Sequence, residues 1–224
     1  MMCQELTHDV LELARQSGEW HVAGLLFQCP GSDWRRQLAD LKLGLESIEL
    51  RDAVSYAIEE ASESLYHTTF GPGGPAAPRE VSHRQHPQPG QFLAQLATIY
   101  EAFAYLPALD EPLDHVAYEV GFVGYLRLKE AYARSAGKVG EAAACCQATD
   151  HFLRNHLSFL ATPLAKSLEH SEITYLTLAS RWLAAQTGQP ATCNLYGSPS
   201  GLRILDETES EDSDRPEWCP MSDV

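Results

Sequence analysis

Apolar residues recur at helical spacing along nearly the whole chain, and this pattern limits the possible fold more than any other feature of the sequence. One stripe runs through residues 6–27, and a second contains Leu38, Leu41 and Leu45. Side chains three and four positions apart lie on one side of an α-helix, whereas the strict alternation that is typical of β-strands is scarce here. The sequence therefore predicts an all-α, compact, bundle-like fold. Further helices are predicted at residues 53–65, 92–103, 110–136, 139–168 and 171–187, the third of these beginning at Asp110 or Glu111 and the fourth broken near Pro163.

Between residues 67 and 90 the helical pattern stops, and proline and glycine become frequent. Proline removes a backbone donor and glycine makes a helix costly, so this stretch is predicted to be a long loop. Such a loop inside a domain is often functional, and a solvated linker is the alternative. The predicted helical body, residues 1–205, thus has an N-terminal half (1–66), the loop (67–90), a C-terminal half (91–188) and an extension (189–205).

The charge of the chain limits its partners. The net charge is −15, of which −7 lies in residues 206–224 and −8 in the rest. The last segment has too few apolar residues to bury and is predicted to be a disordered acidic tail. Because the remaining body is also acidic, it repels nucleic acid and anionic membrane surfaces and favours basic partners.

Other composition signals place the chain in a reducing compartment. No pair of its six cysteines has the C-x-x-C spacing of a zinc knuckle or a thioredoxin-like site. The start, MMCQELTHDV, lacks the features of a secretory signal, and no stretch approaches 18 uninterrupted apolar residues. We therefore expect a cytoplasmic protein without stable membrane insertion.

The stretch EPLDHVAYE, residues 111–119, concentrates carboxylates and a histidine. If a helix begins near Glu111, Pro112 lies in its first turn, where its missing N–H costs nothing. Glu111 and Asp114 then complement the helix dipole, and His115 and Glu119 form an i,i+4 pair. This structural interpretation accounts for the stretch without any ligand.

Three functional interpretations of the stretch stay open. A metal-dependent hydrolase could use His115 and Glu119, but it would need a further ligand such as His151 or His156. A paired-acid hydrolase needs two carboxylates in a cleft. The third interpretation is recognition, because carboxylates accept strong charge-assisted bonds from arginine and the flanking apolar residues could contact an apolar segment.

Three segments resemble the TorD/DmsD family of redox-enzyme maturation chaperones. EPLDHVAYEVGFVGYL resembles the family signature E-P-x-D-H-x-x-x-E-x-x-F, and FGPGGPAAPRE (70–80) resembles its loop. HFLRNHLSFLATPLAKSLE (151–169) resembles its F-x-x-x-H-L segment, with Phe152, His156 and Leu157 in place. One departure is Arg79 after Pro78, where many members have an aromatic residue.

The resemblance implies a cytoplasmic, all-helical protein that is not an enzyme and has no catalytic residue, metal or cofactor of its own. Its implied partner is the catalytic subunit of a molybdopterin-dependent oxidoreductase, its twin-arginine signal peptide, or both, held until cofactor insertion and export. A monomer or a domain-swapped dimer is expected. A helical adaptor unrelated to redox enzymes is the remaining alternative. By the resemblance, the binding region contains Glu111, Pro112, Asp114, His115, Glu119, Phe122, Gly71 and Pro72.

Overall fold

The computed structural model describes residues 2–85, 88–107 and 110–188, and within these ranges the structure is helical, with a single isolated β-bridge in place of a sheet. The prediction of an all-α fold is confirmed. The predicted extension and acidic tail lie outside the described residues. The helices are α1 (Met2–Leu26), α2 (Trp34–Lys42), α3 (Ile48–Glu60), α4 (Glu63–Phe70), α5 (Pro89–Ala102), α6 (Val116–Ser135), α7 (Val139–Phe152), α8 (Ser158–Glu169) and α9 (Thr174–Thr187).

The predicted helix over residues 53–65 is two helices, and the loop that follows is shorter than expected. Ala61 is extended, and the Ser62 side chain caps α4 by accepting a hydrogen bond from the Leu65 N–H. Because α4 continues to Phe70 and α5 begins at Pro89, helix covers both ends of the predicted 67–90 loop. A short 3₁₀ helix, Glu80–His83, lies between them.

The predicted start of α6 at Asp110 or Glu111 is wrong, because the helix begins at Val116. His115 has an extended backbone, and its Nδ1 accepts a hydrogen bond from the Ala117 N–H at 3.2 Å, so it is the N-cap. Glu111 and Asp114 therefore precede the helix and do not lie in its first turn.

The expected break near Pro163 is also misplaced. Pro163 lies inside α8, and the discontinuity between α7 and α8 is a π-helical segment, Leu153–Leu157. Segments of this kind are often found at functional sites. This one carries His156, whose partner is described below.

Helices from both ends of the chain share one core. The first helix packs lengthwise against α6, and α3 packs against α9. Glycines permit the close approach of α1 and α6, since a Cβ atom on Gly24 would lie 3.4 Å from the Gly121 backbone nitrogen. The buried core includes aromatic residues from early and late helices, among them Phe27 and Tyr175. Within the described ranges, no helix has the length and apolarity that crossing a membrane would require.

Candidate partner-binding site

The proline-rich loop is attached to the segment that precedes α6 by a short antiparallel bridge. The Val116 N–H donates to the Pro78 carbonyl at 2.8 Å, and the Glu80 N–H donates to the Asp114 carbonyl at 2.9 Å. Two of the segments in which the sequence predicts function are thereby brought together. They are 35 positions apart in sequence, so neither segment's local pattern reveals the contact.

Asp114 is fully buried and paired with an arginine of the same chain. Both Nε and Nη2 of Arg79 lie 2.9 Å from Asp114 Oδ1, and the Val81 N–H donates to Oδ2 at 3.3 Å. Arg79 is the residue at which the chain departs from the chaperone pattern. Because the Asp114 carboxylate is buried and already bound by Arg79, it is not available to an arginine of a partner.

His115 holds Glu111 in place through Tyr66. Since His115 Nδ1 accepts the N-cap bond, its proton is on Nε2, which lies 3.2 Å from the Tyr66 hydroxyl. That hydroxyl donates to Glu111 Oε1 at 2.6 Å. Burial lowers the pKa of His115 to about 4, and burial together with the Glu111 carboxylate raises the pKa of Tyr66. Both groups are thus neutral at pH 7, as this chain of donors requires.

Glu80 and Glu119 form a buried acidic pair beneath the loop. Although burial acts to raise the pKa of Glu80, hydrogen bonding and charge from His156 and the charge of Arg84 hold it below the usual value. The His156 Nδ1 atom lies 3.1 Å from Glu80 Oε2. Glu119 is different, because within the described ranges neither of its carboxyl oxygens has a hydrogen-bond partner.

Burial, and then the negative charge of Glu80, raises the pKa of Glu119 well above 4.5. We therefore assign the neutral, protonated form to Glu119 at pH 7. Of these two acids, only Glu80 is ionised. Its contact with His156 connects the 3₁₀ helix to the π-helical segment. The Arg84 guanidinium adds contacts near this connection, because it lies over the rings of Phe92 and Phe159.

The remaining signature residues have structural surroundings. The Phe122 ring is fully buried, with its centroid 4.8 Å from that of Tyr100 and 4.9 Å from that of Phe152. Gly71 ends α4, and a Cβ atom there would lie 2.3 Å from the His67 carbonyl oxygen. A side chain at this position would clash with backbone, so the turn requires glycine.

The predicted binding residues thus separate into two groups. One group is buried and shapes the segment before α6; its members are Asp114, His115, Glu119 and Phe122. The other group is at least partly accessible to a partner; its members are Glu111, Pro112, Gly71 and Pro72. Direct contact with a partner is therefore open to the second group, while the first group acts through the position of the backbone.

The hydrolase alternatives gain no geometric support in the part of the chain that the structure describes. His115 and Glu119 are not hydrogen-bonded to each other, since His115 bonds with Tyr66 and Ala117. Within these ranges, no group of three or more His, Cys, Asp or Glu side chains is arranged so that it could hold a metal ion. The paired acids, Glu80 and Glu119, lie under the loop and away from any opening.

A groove between α1 and α6 is the feature that the sequence reasoning missed. It has a volume of about 560 Å³, and its lining is mainly apolar. Tyr105 and Tyr125 line it together with several small residues. These are Ala14, Gly18, Gly24, Ala117 and Gly121. The recurring glycines in two helices that both carry apolar stripes were the available sequence signal.

Two carboxylates lie near one end of this groove. Gln28 lines that end, and the next residue, Cys29, lies close enough to Glu63 and Glu111 for their charges to act on it. Burial and these two carboxylates raise the pKa of the Cys29 thiol. We call Glu63 and Glu111 the acidic mouth of the groove. Of the accessible signature residues, Glu111 therefore lies near one end of the groove.

Comparison with known proteins agrees with the segments singled out above. A family model described as "Nitrate reductase delta subunit" matches residues 20–164, well over half of the chain. The match includes the proline-rich loop, the segment before α6 and most of the groove. Neither the comparison with curated proteins nor the comparison with solved structures gives a significant match.

Proposed function

The chain belongs to the nitrate reductase delta subunit family, and on this premise we propose that it captures the precursor of a molybdopterin-dependent oxidoreductase before that precursor is exported. The family consists of chaperones for molybdoenzyme maturation and not of catalytic enzymes. Our proposal is more specific. In the cytoplasm, the protein binds the twin-arginine signal peptide of its client and holds the client until its cofactor has been inserted.

One observation carries the proposal: the two carboxylates of the acidic mouth lie near Cys29, which follows Gln28 at one end of an apolar groove. A twin-arginine leader has arginines followed by an apolar stretch, so it presents the two complementary surfaces in one short segment. Carboxylates bind guanidinium groups by charge-assisted hydrogen bonds, and the apolar stretch gains free energy when it leaves water. At about 0.15 M salt, charges act over roughly 8 Å, so the acids must contact the arginines closely.

The buried residues of the signature support this surface indirectly. The Arg79–Asp114 pair fixes the backbone before α6, and Tyr66 aligns the Glu111 carboxylate. A pre-aligned carboxylate loses little freedom when an arginine arrives, which favours binding. This explains why a signature for peptide binding contains residues that a peptide does not touch.

Isothermal titration of the full chain with leader peptides of candidate client enzymes tests the proposal. The double variant Glu63→Gln, Glu111→Gln removes the acidic mouth and keeps side-chain size. Two partly exposed ion pairs are worth about 0.2–1 kcal/mol each, so the dissociation constant should rise about 2- to 30-fold at low salt. The wild-type affinity should fall as salt increases.

A matched control removes two charges elsewhere. Asp150→Asn with Glu169→Gln changes exposed acids on α7 and α8, and leader binding should stay at the wild-type level. If the wild-type chain binds neither a leader nor a folded client subunit, the proposal is wrong. If both double variants weaken binding equally, only the overall charge matters, and the acidic mouth has no specific role.

A further inference from the structure

We propose that residues 78–84 form a strap with two states, docked as in the structure and released, and that the proton on the buried Glu119 carboxyl keeps it docked. Loss of this proton favours release. The switch goes beyond the proposed function, because it depends on contacts within the chain and not on any partner. It follows from how the strap is fastened, from what lies beneath it and from the charges that meet there.

The first half of the strap is fastened to the segment before α6. The Pro78 carbonyl accepts a hydrogen bond from the Val116 N–H, and the Glu80 N–H donates to the Asp114 carbonyl. The Val81 N–H donates to the side chain of the same Asp114, at Oδ2. Release of the strap therefore removes backbone contacts that order the segment before α6.

The Arg84 side chain fastens the other end of the strap. Its guanidinium donates to the Asn155 carbonyl in the π-helical segment and to the Glu80 carboxylate. It also lies 4.9 Å from the ring centre of Phe92 on α5 and 4.4 Å from that of Phe159 on α8. Because one side chain makes the contacts with three helical elements, this end of the strap docks or releases as a unit.

Side-chain packing places Glu119 beneath the strap. The Glu80 carboxylate reaches from the strap to His156, whose ring stacks on that of Phe152 with centroids 4.6 Å apart. The Phe152 ring lies 4.9 Å from that of Phe122, which follows Glu119 by about one helical turn. Glu119 is fully buried, and within the described ranges neither of its carboxyl oxygens has a hydrogen-bond partner. A buried polar group without a partner destabilises the docked state, and release relieves this by admitting water.

The titratable groups that surround Glu119 come from several elements. They are Glu80 and Arg84 of the strap, Asp114 with its partner Arg79, Tyr100 of α5 and, through Glu80, His156 of the π-helical segment. If Glu119 ionises while the strap is docked, Glu80 and Asp114 repel its charge, with Arg84 as the opposing cation. Since Glu80 belongs to the strap, this repulsion acts against docking.

Proton linkage gives the direction of the switch. In the docked state, burial and the charge of Glu80 raise the pKa of Glu119 well above 4.5, whereas in the released state water reaches the carboxyl and its pKa returns to about 4.5. Docking therefore takes up a proton. Its equilibrium constant should fall by up to tenfold for each pH unit above 4.5, until the pH exceeds the docked-state pKa.

Hydrogen exchange of the full chain, followed by mass spectrometry at pH 5.5, 6.5 and 7.5, tests the switch. Peptides covering residues 79–84 and 113–117 report on the strap and its attachment, and peptides of α3 report on the rest of the fold. Labelling times are scaled to the intrinsic exchange rate at each pH. The strap peptides should be protected at least tenfold less than those of α3, and their protection should fall by up to tenfold per pH unit.

Two glutamine variants assign the effect to one carboxyl. Glu119→Gln imitates the protonated acid, so the protection of its strap peptides should no longer depend on pH. Glu130→Gln is the matched control. Glu130 is also almost fully buried on α6, but it is paired with Arg127 and Arg134 and lies eleven positions further along, or about 16 Å. This variant should keep the wild-type pH dependence.

A third variant, Arg84→Gln, tests the fastening itself and should lower the protection of the strap peptides at least tenfold at every pH. Unchanged protection in this variant would overturn the strap. In the wild-type protein, strap protection that is independent of pH would overturn the role of the proton, and the same pH dependence in Glu119→Gln would assign it to another group. Equal protection of the strap and α3 peptides would show that the strap opens only by global unfolding and has no released state of its own.

Discussion

The buried Glu119 carboxyl should make the protein less stable as the pH rises, and Glu119→Gln should remove this effect. Burial and the neighbouring Glu80 raise the pKa of Glu119 well above 4.5 in the native state. In the unfolded chain the same group titrates near 4.5. Above that value the unfolded chain loses its proton while the native state keeps it, so ionisation favours unfolding and stability falls with pH.

The size of the effect follows from one proton. Between the unfolded and the native pKa, the free energy of unfolding of the wild-type protein should fall by about 1.4 kcal/mol per pH unit relative to Glu119→Gln. Glutamine has nearly the same volume and no charge, so it imitates the protonated acid. The two proteins should therefore have similar stabilities near pH 4.5, and the variant should be increasingly the more stable above pH 5.

Urea denaturation followed by circular dichroism at 222 nm, at pH 5, 6, 7 and 8, measures this difference. Glu59→Gln, which removes an exposed carboxylate on α3, is the control and should keep the wild-type pH dependence. If the wild-type protein and Glu119→Gln respond to pH identically, Glu119 is ionised in the native state. The assignment of a single ionised acid beneath the loop would then be wrong.

Three further changes test separate contacts. Asp114→Ala should lower the free energy of unfolding by about 2–4 kcal/mol, measured by urea denaturation, because it leaves Arg79 without its buried partner; a loss below 0.5 kcal/mol would contradict this. Tyr66→Phe should cost about 1 kcal/mol and weaken leader binding in titration, because Glu111 loses its aligning donor; Tyr56→Phe, on an exposed tyrosine, should change neither. Gly24→Leu should lower the melting temperature by several degrees, because it separates α1 from α6 and costs about 1–3 kcal/mol; an unchanged melting temperature would refute the close packing of these helices.

The helices could be predicted because their apolar periodicity is local. Periodicity located α1, α5 and most of α6, and its interruption located the loop. The start of α6 could not be predicted, since Pro112 suits a first turn and the acids suit a helix dipole. What decides the true start is the contact of Asp114 with Arg79, and periodicity carries no information about a partner 35 positions away.

The candidate site could be predicted in part for a related reason. The signature located the segment before α6, and the family match confirms the resemblance to redox-enzyme maturation chaperones. Which signature residues are reachable depends on burial, and Asp114 and Glu119 proved to be inside. The groove arises from the packing of α1 on α6, and no single segment of the sequence contains it.

The packing of α1 on α6 also determines when, during synthesis, the groove can form. Ser17 donates a hydrogen bond to the Gly124 carbonyl, 107 positions further along the chain. At a translation rate of about 5–20 residues per second, the apolar side of α1 waits on the order of 5–20 s before its partner helix is synthesised. During this interval the nascent chain exposes an apolar helix surface, similar to the apolar segment that the folded protein is proposed to bind in its client. The groove between α1 and α6 forms only after more than half of the chain has been synthesised.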